Sequence, residues 1–521
     1  MGRGVFCCAA ILGDAMTLEK LLRKGKPVEV HRPWPRAIVD DDTWRALSEG
    51  LAAGRWTLSG LWGDAGAVHM ALLDEASGFV AVATRLCPDG RFPSVGALHP
   101  PAIRLERTIR DLFGLHPDGA PDPRPWLDHG QWGVAAPLSA SPSREGPRAA
   151  TDYTFLPVEG ENLHQIPVGP VHAGIIEPGH FRFTAGGETV VRLEQRLGYV
   201  HKGIEGLMAG ATLARGAKLA SHTSGDSAVA CSLAFAHAVE AALGIAPPPR
   251  AVWLRALMAE LERIANHLGD FGAICNDASF AIMHAECGIL REHVLRAASA
   301  CFGHRLMMDR VVPGGVTADL HANGVEAVRD LLARVRARFP ALVTLYDETA
   351  SLQDRTVTTG IVRPELARRF GAGGPVGRAS GRGIDARRMP GYAPYDELRF
   401  EIPVLSEGDV NARVWIRIRE IEQSLSLIDQ LLERMPKGEV SVPVTPEGAH
   451  EREGIGFAEA FRGDVLAWVR IGADGRIARC HLRDPSWFQW PLLEAAIEGN
   501  IVADFPICNK SFNCSYSGHD L

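Results

Sequence analysis

RAVWLRALMAELERIANHLGDFGAI, residues 250–274, decides the fold. Its apolar residues recur at helical spacing, which predicts one long amphipathic helix. On that helix Glu260, Arg263 and His267 share a face, because residues three and four apart are neighbours on a helix surface. A carboxylate, a guanidinium and an imidazole together can hold or tune a charged centre. Solvated pairs on an exposed helix face meet the same spacing, and by spacing alone that plainer arrangement is the commoner one.

Moving outward, AIMHAECGILREHVLRAASACF (281–302), GVEAVRDLLARVRARFPALVTLYDE (324–348) and DVNARVWIRIREIEQSLSLIDQLLERM (409–435) repeat the helical pattern. The last is closed by Pro436 and Gly438. GATLARGAKLASHTSGDSAVACSLAFAHAVEAALGI (210–245) reads as Ala- and Leu-rich helix around a Ser-Gly-Asp-Ser break. Strand-like pieces flank this bundle at 180–198 and 453–483.

A smaller unit precedes it. GRWTLSGLWG, VHMALLDE and GFVAVATRL read as short strands, and DDTWRALSEGLAAG and PPAIRLERTIRDLFGL as helices stopped at Gly54 and Gly114. The Pro-, Ser-, Gly- and Ala-rich HGQWGVAAPLSASPSREGPRAATDY marks a linker. The expected division is an N-terminal extension at 1–27, a small α/β domain at 28–129, a linker at 130–153 and a large, mainly helical domain with flanking β-strands at 154–521. The class is α+β.

With 521 residues, one core is not enough, and two to four units are expected. A net charge of -7 without a long basic tract speaks against a nucleic-acid surface. The apolar run VFCCAAIL (5–12) is far short of a bilayer span and lacks a clear cleavage site, so neither a spanning helix nor a signal peptide is expected. Ten cysteines without a CxxC pair read as reduced, buried, small hydrophobes.

Three further segments carry chemistry. GPVHAGIIEPGHFRF holds His172, Glu177 and His180, with His164 and His201 nearby; histidines so spaced match no compact metal motif. GYVHKGIEGL sets Glu205 amid Gly and apolar residues. There a raised pKa would suit proton transfer, and a surface Glu at a helix start is the alternative. GGPVGRASGRGIDARR (373–388) has four Arg but neither a P-loop Lys-Ser/Thr nor a strand-fed GxGxxG. It reads as a loop that lets backbone approach a partner or a buried centre.

Together these segments resemble a known family. ERTIRDLFG (106–114), preceded by FPSV (92–95), resembles the signature of the 30-kDa subunit of respiratory complex I. IPVGPVHAGIIEPGHFRF, LGYVHKGIEGL, AVEAALGI, ELERIANH, GRASGRGIDAR, EAFRGD and IVADFPICNKSF resemble the 49-kDa subunit. They are more similar still to the large subunit of energy-converting nickel–iron hydrogenases, including those of formate hydrogenlyase and hydrogenase-4, where the two units are fused in this order.

The resemblance implies a hydrogenase-large-subunit-like second domain and a place in a membrane-associated, complex I-like assembly. It also implies lost metal ligands. The family's CGxC falls on Ser224, Gly225, Asp226 and Ser227, and its terminal CxxC on Ser515 and Gly518, with Cys514 one residue early. Ser hydroxyls are poor substitutes for thiolates, so nickel–iron is not expected; the pocket would persist without its occupant. By the same matching, Glu205 falls on the proton-route carboxylate. Arg462 falls on the Arg beside the active centre, with Phe461 for the usual Pro, and Asp504 matches too. His267, with Arg263, falls near the partner's iron–sulfur cluster. His172 falls in the segment shared with the quinone-reducing subunit, which has a second His where this chain has Ile176 and its quinone-contacting Tyr near Gly225.

The implied catalytic residues are thus Glu205, Arg462 and His172. The implied partners are an iron–sulfur small subunit, other soluble-arm subunits and antiporter-like membrane subunits. The implied location is the cytoplasmic side of the inner membrane, peripheral through those partners. No cofactor is expected on this chain; a quinone is a possible substrate.

Overall fold

The computed structural model describes residues 17–143, 153–172, 176–446 and 450–521. VFCCAAIL, Cys7, Cys8 and residues 144–152 of the linker lie outside them.

The first unit begins with α1 (Leu18–Leu22), β1 (Lys26–Pro27), β2 (His31–Arg32), β3 (Arg36–Ile38) and α2 (Asp41–Ala52). The Thr17 and Asp40 side chains cap the two helices by accepting backbone N–H groups. β4 (Thr57–Asp64), β5 (Ala67–Asp74) and β6 (Phe79–Leu86) follow, then β7 (Arg91–Pro93), α3 (Ile103–Phe113) and β8 (His116–Asp118). The main sheet runs β1-β3-β6-β5-β4. Residues 17–27, expected above as an extension, belong to this unit: β1 pairs with β3, and Leu18, Leu21 and Leu22 enter its core.

β5 is buried along nearly its whole length, because both faces of the sheet are covered. One face packs on α2 and α3 through Leu47, Leu51, Ile109 and Leu112. The other meets the second unit's sheet, with Trp62, Ala71 and Val82 against Ile455, Leu466 and Trp468.

The second unit opens with β9 (Leu163–Val168), β10 (His180–Gly186) and β11 (Thr189–Arg196), one antiparallel sheet. Next come α4 (Ile204–Met208), α5 (Leu213–Ser221), α6 (Ala228–Leu243), α7 (Pro249–Asp277) and α8 (Ala281–Phe302). A two-stranded piece, β12 (Val311–Val312) and β13 (Gly315–Val316), leads to α9 (Ala322–Glu348), α10 (Ala350–Thr356), α11 (Pro364–Arg369), α12 (Gly374–Ala379) and α13 (Val410–Arg434). β14 (Arg452–Ala460), β15 (Gly463–Ile471) and β16 (Ile477–Arg483) form the last sheet; α14 (Ser486–Ile497), α15 (Phe505–Phe512) and α16 (Tyr516–Asp520) end the fold.

That sheet runs β16-β15-β14-β2, so the first unit supplies an edge strand to the second. The helix α6 lies so close on β14 that a Cβ at Gly454 would sit 1.9 Å from the Ala238 carbonyl oxygen. Among the described residues, Gly225–Leu243 alone is long and apolar enough to cross a membrane, and most of it is buried inside the chain.

Two further sequence expectations change. The face of α7 carrying Glu260, Arg263 and His267 is fully buried rather than solvated, because α13 and the β14–β15 hairpin close over it. The Gly-rich segment begins as the short helix α12, with Pro375 at its start where no N–H partner is needed.

Candidate functional site

The serines at the thiolate positions do come together. Ser224 and Ser227 flank the tight turn that leads into α6, and Ser515 caps α16, its hydroxyl accepting the Gly518 N–H at 2.9 Å. The Ser224 and Ser515 hydroxyl oxygens are 3.0 Å apart, and Ser224 also donates to Asp226 Oδ1 at 2.8 Å. Arg462, in the two-residue β14–β15 turn, reaches in and grips Asp226 with both ends of its fork, at 2.9 and 2.6 Å. It also donates to the Ser227 hydroxyl at 3.2 Å and to the Asn513 carbonyl. Burial would raise the Asp226 carboxyl, but the Arg462 charge and the donors around it hold it at about 2. The same pairing raises the Arg462 guanidinium.

Asn266 on α7 ties the Asp226 turn down, donating to its carbonyl at 2.7 Å. One turn earlier, Glu262 accepts the Val229 and Ala230 N–H groups at the start of α6, and burial pushes its carboxyl up to about 8. Behind Arg462 stands the Gly-rich segment. Gly374 has φ +59°, and a Cβ there would lie 1.9 Å from the Arg462 carbonyl oxygen. Gly374→Ala is therefore expected to push the Arg462 turn out of place, lowering stability by about 2 kcal/mol, read as an earlier urea-unfolding midpoint. An unchanged midpoint would show that the turn yields freely.

These residues do not fit a nickel–iron centre, which needs thiolate donors. Three positions offer hydroxyls committed to one another, to Asp226 or to a backbone N–H. The fourth is Gly518, where even a Cβ would lie 2.7 Å from Asp484 Oδ2. The Arg462 guanidinium beside them is held by Asp226. Among the described residues, no group of three or more His, Cys, Asp or Glu is placed to hold a metal ion. Direct hydrogen bonds join the matched positions Ser224, Ser515 and Gly518. The described cysteines are unbridged and all but Cys301 are buried; burial pushes the Cys231 and Cys514 thiols up, away from the thiolate form.

Arg263 and His267 belong to a second cluster. Glu420 on α13 accepts from His267 Nε2 at 2.8 Å, from Arg378 Nε at 2.7 Å and from Arg263 at 3.5 Å. Arg378 also meets Glu459 at 2.9 Å, and Arg387 joins Asp385 at 2.7 Å and Glu260 at 2.9 Å. Tyr395 and Ser424 complete Glu260. All of these groups are buried. Arg263, Arg378 and Arg387 face Glu260, Asp385, Glu420 and Glu459, leaving one negative charge in excess if every carboxyl ionises. Burial, and then Asp385, push Glu459 up to about 7, toward the neutral form that would balance the set. Burial holds His267 toward the neutral imidazole despite Glu420. Arg263 donates to the Glu459 and Ala460 carbonyls, which links this cluster to the Arg462 turn. Neither Arg263 nor His267 reaches the surface, so any influence on a neighbouring subunit is electrostatic rather than by contact.

Glu205 forms a third cluster, with Arg479 at 2.9 Å and His481 at 2.6 Å from β16. The expected raised pKa is reversed. Burial does raise it, but Arg479 and His481 outweigh burial and hold the carboxyl at about 2. Glu205 is thus held toward its ionised form at neutral pH. A depressed folded-state pKa gives stability that is full above the unfolded value and lost as pH falls toward the folded one. Glu205→Gln is expected to cost about 2 kcal/mol at pH 7, since the amide keeps a hydrogen bond but loses the charge, and progressively less from pH ~4 toward pH ~2. Unfolding midpoints across that range check it; an equal penalty at both ends would rule out the charge as the cause.

His172 stays in its own segment, with Nε2 2.8 Å from the Gly179 carbonyl and its ring tilted against Phe181. Asp504 pairs with Arg355 at 3.2 Å. The sequence alone marks Asp226 only as a gap in a motif. It carries no signal for Glu420, Glu459, Arg479 or His481, whose partners are distant along the chain.

The fold and this geometry define a hydrogenase- and complex I-like chain with Ser224, Ser227, Ser515 and Gly518 at the matched thiolate positions and an Asp226–Arg462 ion pair beside them. The respiratory-chain NADH dehydrogenase 49 Kd subunit model matches residues 280–455, and the 30 Kd subunit model residues 60–146. Formate hydrogenlyase subunit 5 of Escherichia coli (strain K12) is 33% identical over 440 residues, covering 82% of this chain and 77% of that protein. Hydrogenase-4 component G of the same strain is 31% identical over 474 residues, covering 87% and 80%. The C/D subunit of NADH-quinone oxidoreductase from Bacteroides thetaiotaomicron is 28% identical over 450 residues, covering 81% and 84%. A chain in the structure of the membrane-bound sulfane sulfur reductase, an archaeal respiratory membrane complex, matches with a TM-score of 0.65 and 26% identity, over 70% of this chain and 100% of that one. The chain belongs to the family of formate hydrogenlyase subunit 5, hydrogenase-4 component G and the C/D subunits of NADH-quinone oxidoreductase.

Proposed function

We propose that this chain is a redox subunit of a membrane-associated, complex I-like assembly and works without a nickel–iron centre of its own. It sits on the cytoplasmic side, against an iron–sulfur subunit and beside other soluble-arm and antiporter-like membrane subunits. Electrons from the partner's cluster pass to a quinone or another acceptor at the face between the two subunits. The single observation behind this is the Ser224–Asp226–Arg462–Ser515 lattice, in which hydroxyls at the matched ligand positions are committed to hydrogen bonds rather than free to hold a metal. The membrane-bound sulfane sulfur reductase is named for an acceptor that is neither hydrogen ion nor quinone, so acceptors beyond quinones belong in the test.

In this reading Arg462 and Asp226 supply a fixed, mutually compensated ion pair at the matched ligand positions. The balanced cluster around Glu420 holds α7, α13 and the Arg462 turn as one rigid body facing the partner. The closed lattice also suits a second role, in which the chain transmits conformational change between the soluble arm and a membrane pump and performs no redox step itself.

Purification of the whole complex, with metal analysis and turnover assays, separates these readings. Nickel below a tenth of stoichiometric, together with electron transfer to a quinone, a viologen or a sulfane sulfur compound, is the expected result. Stoichiometric nickel in this chain would overturn the reading. Absence of turnover with every acceptor, in an intact complex, would leave the coupling role.

A further inference from the structure

Arg378 Nη1 carries two hydrogens, yet three oxygens surround it. Glu459 Oε1 lies 2.9 Å away, the Ile384 carbonyl 3.1 Å and Asp385 Oδ2 3.4 Å. One of the three goes without a hydrogen from this nitrogen, and two of them belong to carboxyl groups. The other sides of those groups are taken. Glu459 Oε2 accepts the Ala386 N–H at 2.8 Å, and Arg387 donates to both Asp385 oxygens, at 3.0 and 2.7 Å. Both carboxyl groups are buried. Two carboxylates that meet on one nitrogen away from water repel each other, and one added proton removes the repulsion.

The surrounding charges leave room for that proton. Facing the pair are Glu260, Arg263 and His267 of α7, Arg378 and Arg387 of the Gly-rich segment, Glu420 of α13, and Asp464 of β15, which Arg483 of β16 already compensates. The Tyr392 and Tyr395 phenols also face it, and burial keeps both neutral. Four carboxyls thus share three guanidinium groups. His267 is not the seat of the proton: Nε2 meets Glu420 at 2.8 Å, and Nδ1 is buried with no acceptor, so a second ring proton would be unpaired. Burial would raise Asp385, but Arg387 holds it low; burial and then Asp385 raise Glu459. The proton therefore rests on Glu459.

Glu459 also ties two pieces of chain together. It stands three residues before Arg462 on β14, while its donors Arg378 and Ala386 belong to the Gly-rich segment. Loss of the proton leaves an uncompensated buried carboxylate at that join. We propose that Asp385 and Glu459 hold one proton between them, and that its removal by base is a switch that loosens the β14–β15 turn carrying Arg462 from the Gly-rich segment. The switch operates whether or not the chain carries out a redox step.

Infrared spectra and amide hydrogen exchange of the full-length chain at pH 6 and pH 9 test this, with exchange corrected for the intrinsic effect of pH. In wild type, residues 457–466 should exchange about fivefold faster at pH 9, while the buried strand β5 stays within about twofold. Glu459→Gln keeps an acceptor and supplies an N–H, so its turn should stay within about twofold across the range. The wild-type-minus-variant spectrum should hold one protonated-carboxyl band at pH 6 that is gone at pH 9. Folded Glu459 releases its proton at a higher pH than unfolded Glu459, so wild-type stability should fall relative to the variant from pH ~4.5 to pH ~7 and no further above. If Glu459→Gln does not fold, Asp385→Asn takes its place, and the comparison of the turn with β5 stands in wild type alone. A difference spectrum without that band at pH 6, a band that persists at pH 9, or a turn whose exchange changes no more than that of β5 would each overturn the proposal.

Discussion

Glu420→Ala lowers the stability of the chain by about 3–5 kcal/mol at neutral pH, the range for breaking a buried ion pair from one side. The size follows from what is left behind. Glu420 accepts from His267, Arg378 and Arg263 in a place that water does not reach. Without it, Arg378 keeps Glu459 at 2.9 Å and Asp385 at 3.4 Å, but Arg263 keeps only Glu260 at 3.5 Å and two backbone carbonyls. A buried guanidinium with its charge half compensated is the expensive outcome, far more than the loss of one contact. Glu420→Gln should cost less, because the amide oxygen still accepts a hydrogen bond. Urea-unfolding midpoints of both variants provide the measurement. A Glu420→Ala midpoint within error of wild type would mean that the cluster is already hydrated in solution, and the rigid-body role assigned to it would fall.

Arg462→Ala has the second-largest expected effect, about 3 kcal/mol at pH 7. Asp226 would then sit with neither fork of the guanidinium, keeping only the Ser224 and Ser227 hydroxyls, with Glu262 nearby. Its carboxyl, now held at about 2, would rise toward and beyond the ordinary carboxylate range. The sign of the pH effect is fixed. In wild type the Asp226 pair contributes in full above the unfolded value near 4 and is lost as pH falls toward about 2. The penalty of Arg462→Ala should therefore be largest at pH 6–7 and should shrink steadily below pH ~4. Midpoints for both proteins at pH 3 and pH 7 check it. A penalty of equal size at both would assign the effect to packing on Phe461, whose ring lies 4.3 Å from the guanidinium carbon, rather than to the ion pair.

The serine lattice also explains why restoring thiolates is not a matter of four substitutions. A side chain at Gly518 meets Asp484 and the Ser515 hydroxyl before it reaches the pocket. Arg462 already holds the position with its own counter-charge. An organic ion pair stands at the centre of the lattice, and the neighbouring hydrogen bonds are fitted to it: Asn266 donates to the Asp226 carbonyl, the Asn513 carbonyl accepts from Arg462, and the Ser486 hydroxyl accepts the Ser515 N–H.

Much of the architecture could be read directly from residue order. The long helices announce themselves by period, the strands by β-branched runs between Gly and Asp breaks, and the helix stops at Gly54 and Gly114 by residue type. These are local properties, set by interactions a few residues apart. The Ser224, Ser227, Ser515 and Gly518 positions were equally legible, as departures from a motif. Tertiary structure alone decided the rest. Glu205 sits in a segment that looks apolar, but β16 brings Arg479 and His481 to it from far along the chain and turns a raised pKa into a lowered one. The same helical spacing of Glu260, Arg263 and His267 serves a solvated face or a buried one, and only α13 and the β14–β15 hairpin make it buried. Coulomb energy depends on distance and on exclusion of water, and neither quantity is encoded in spacing along a chain.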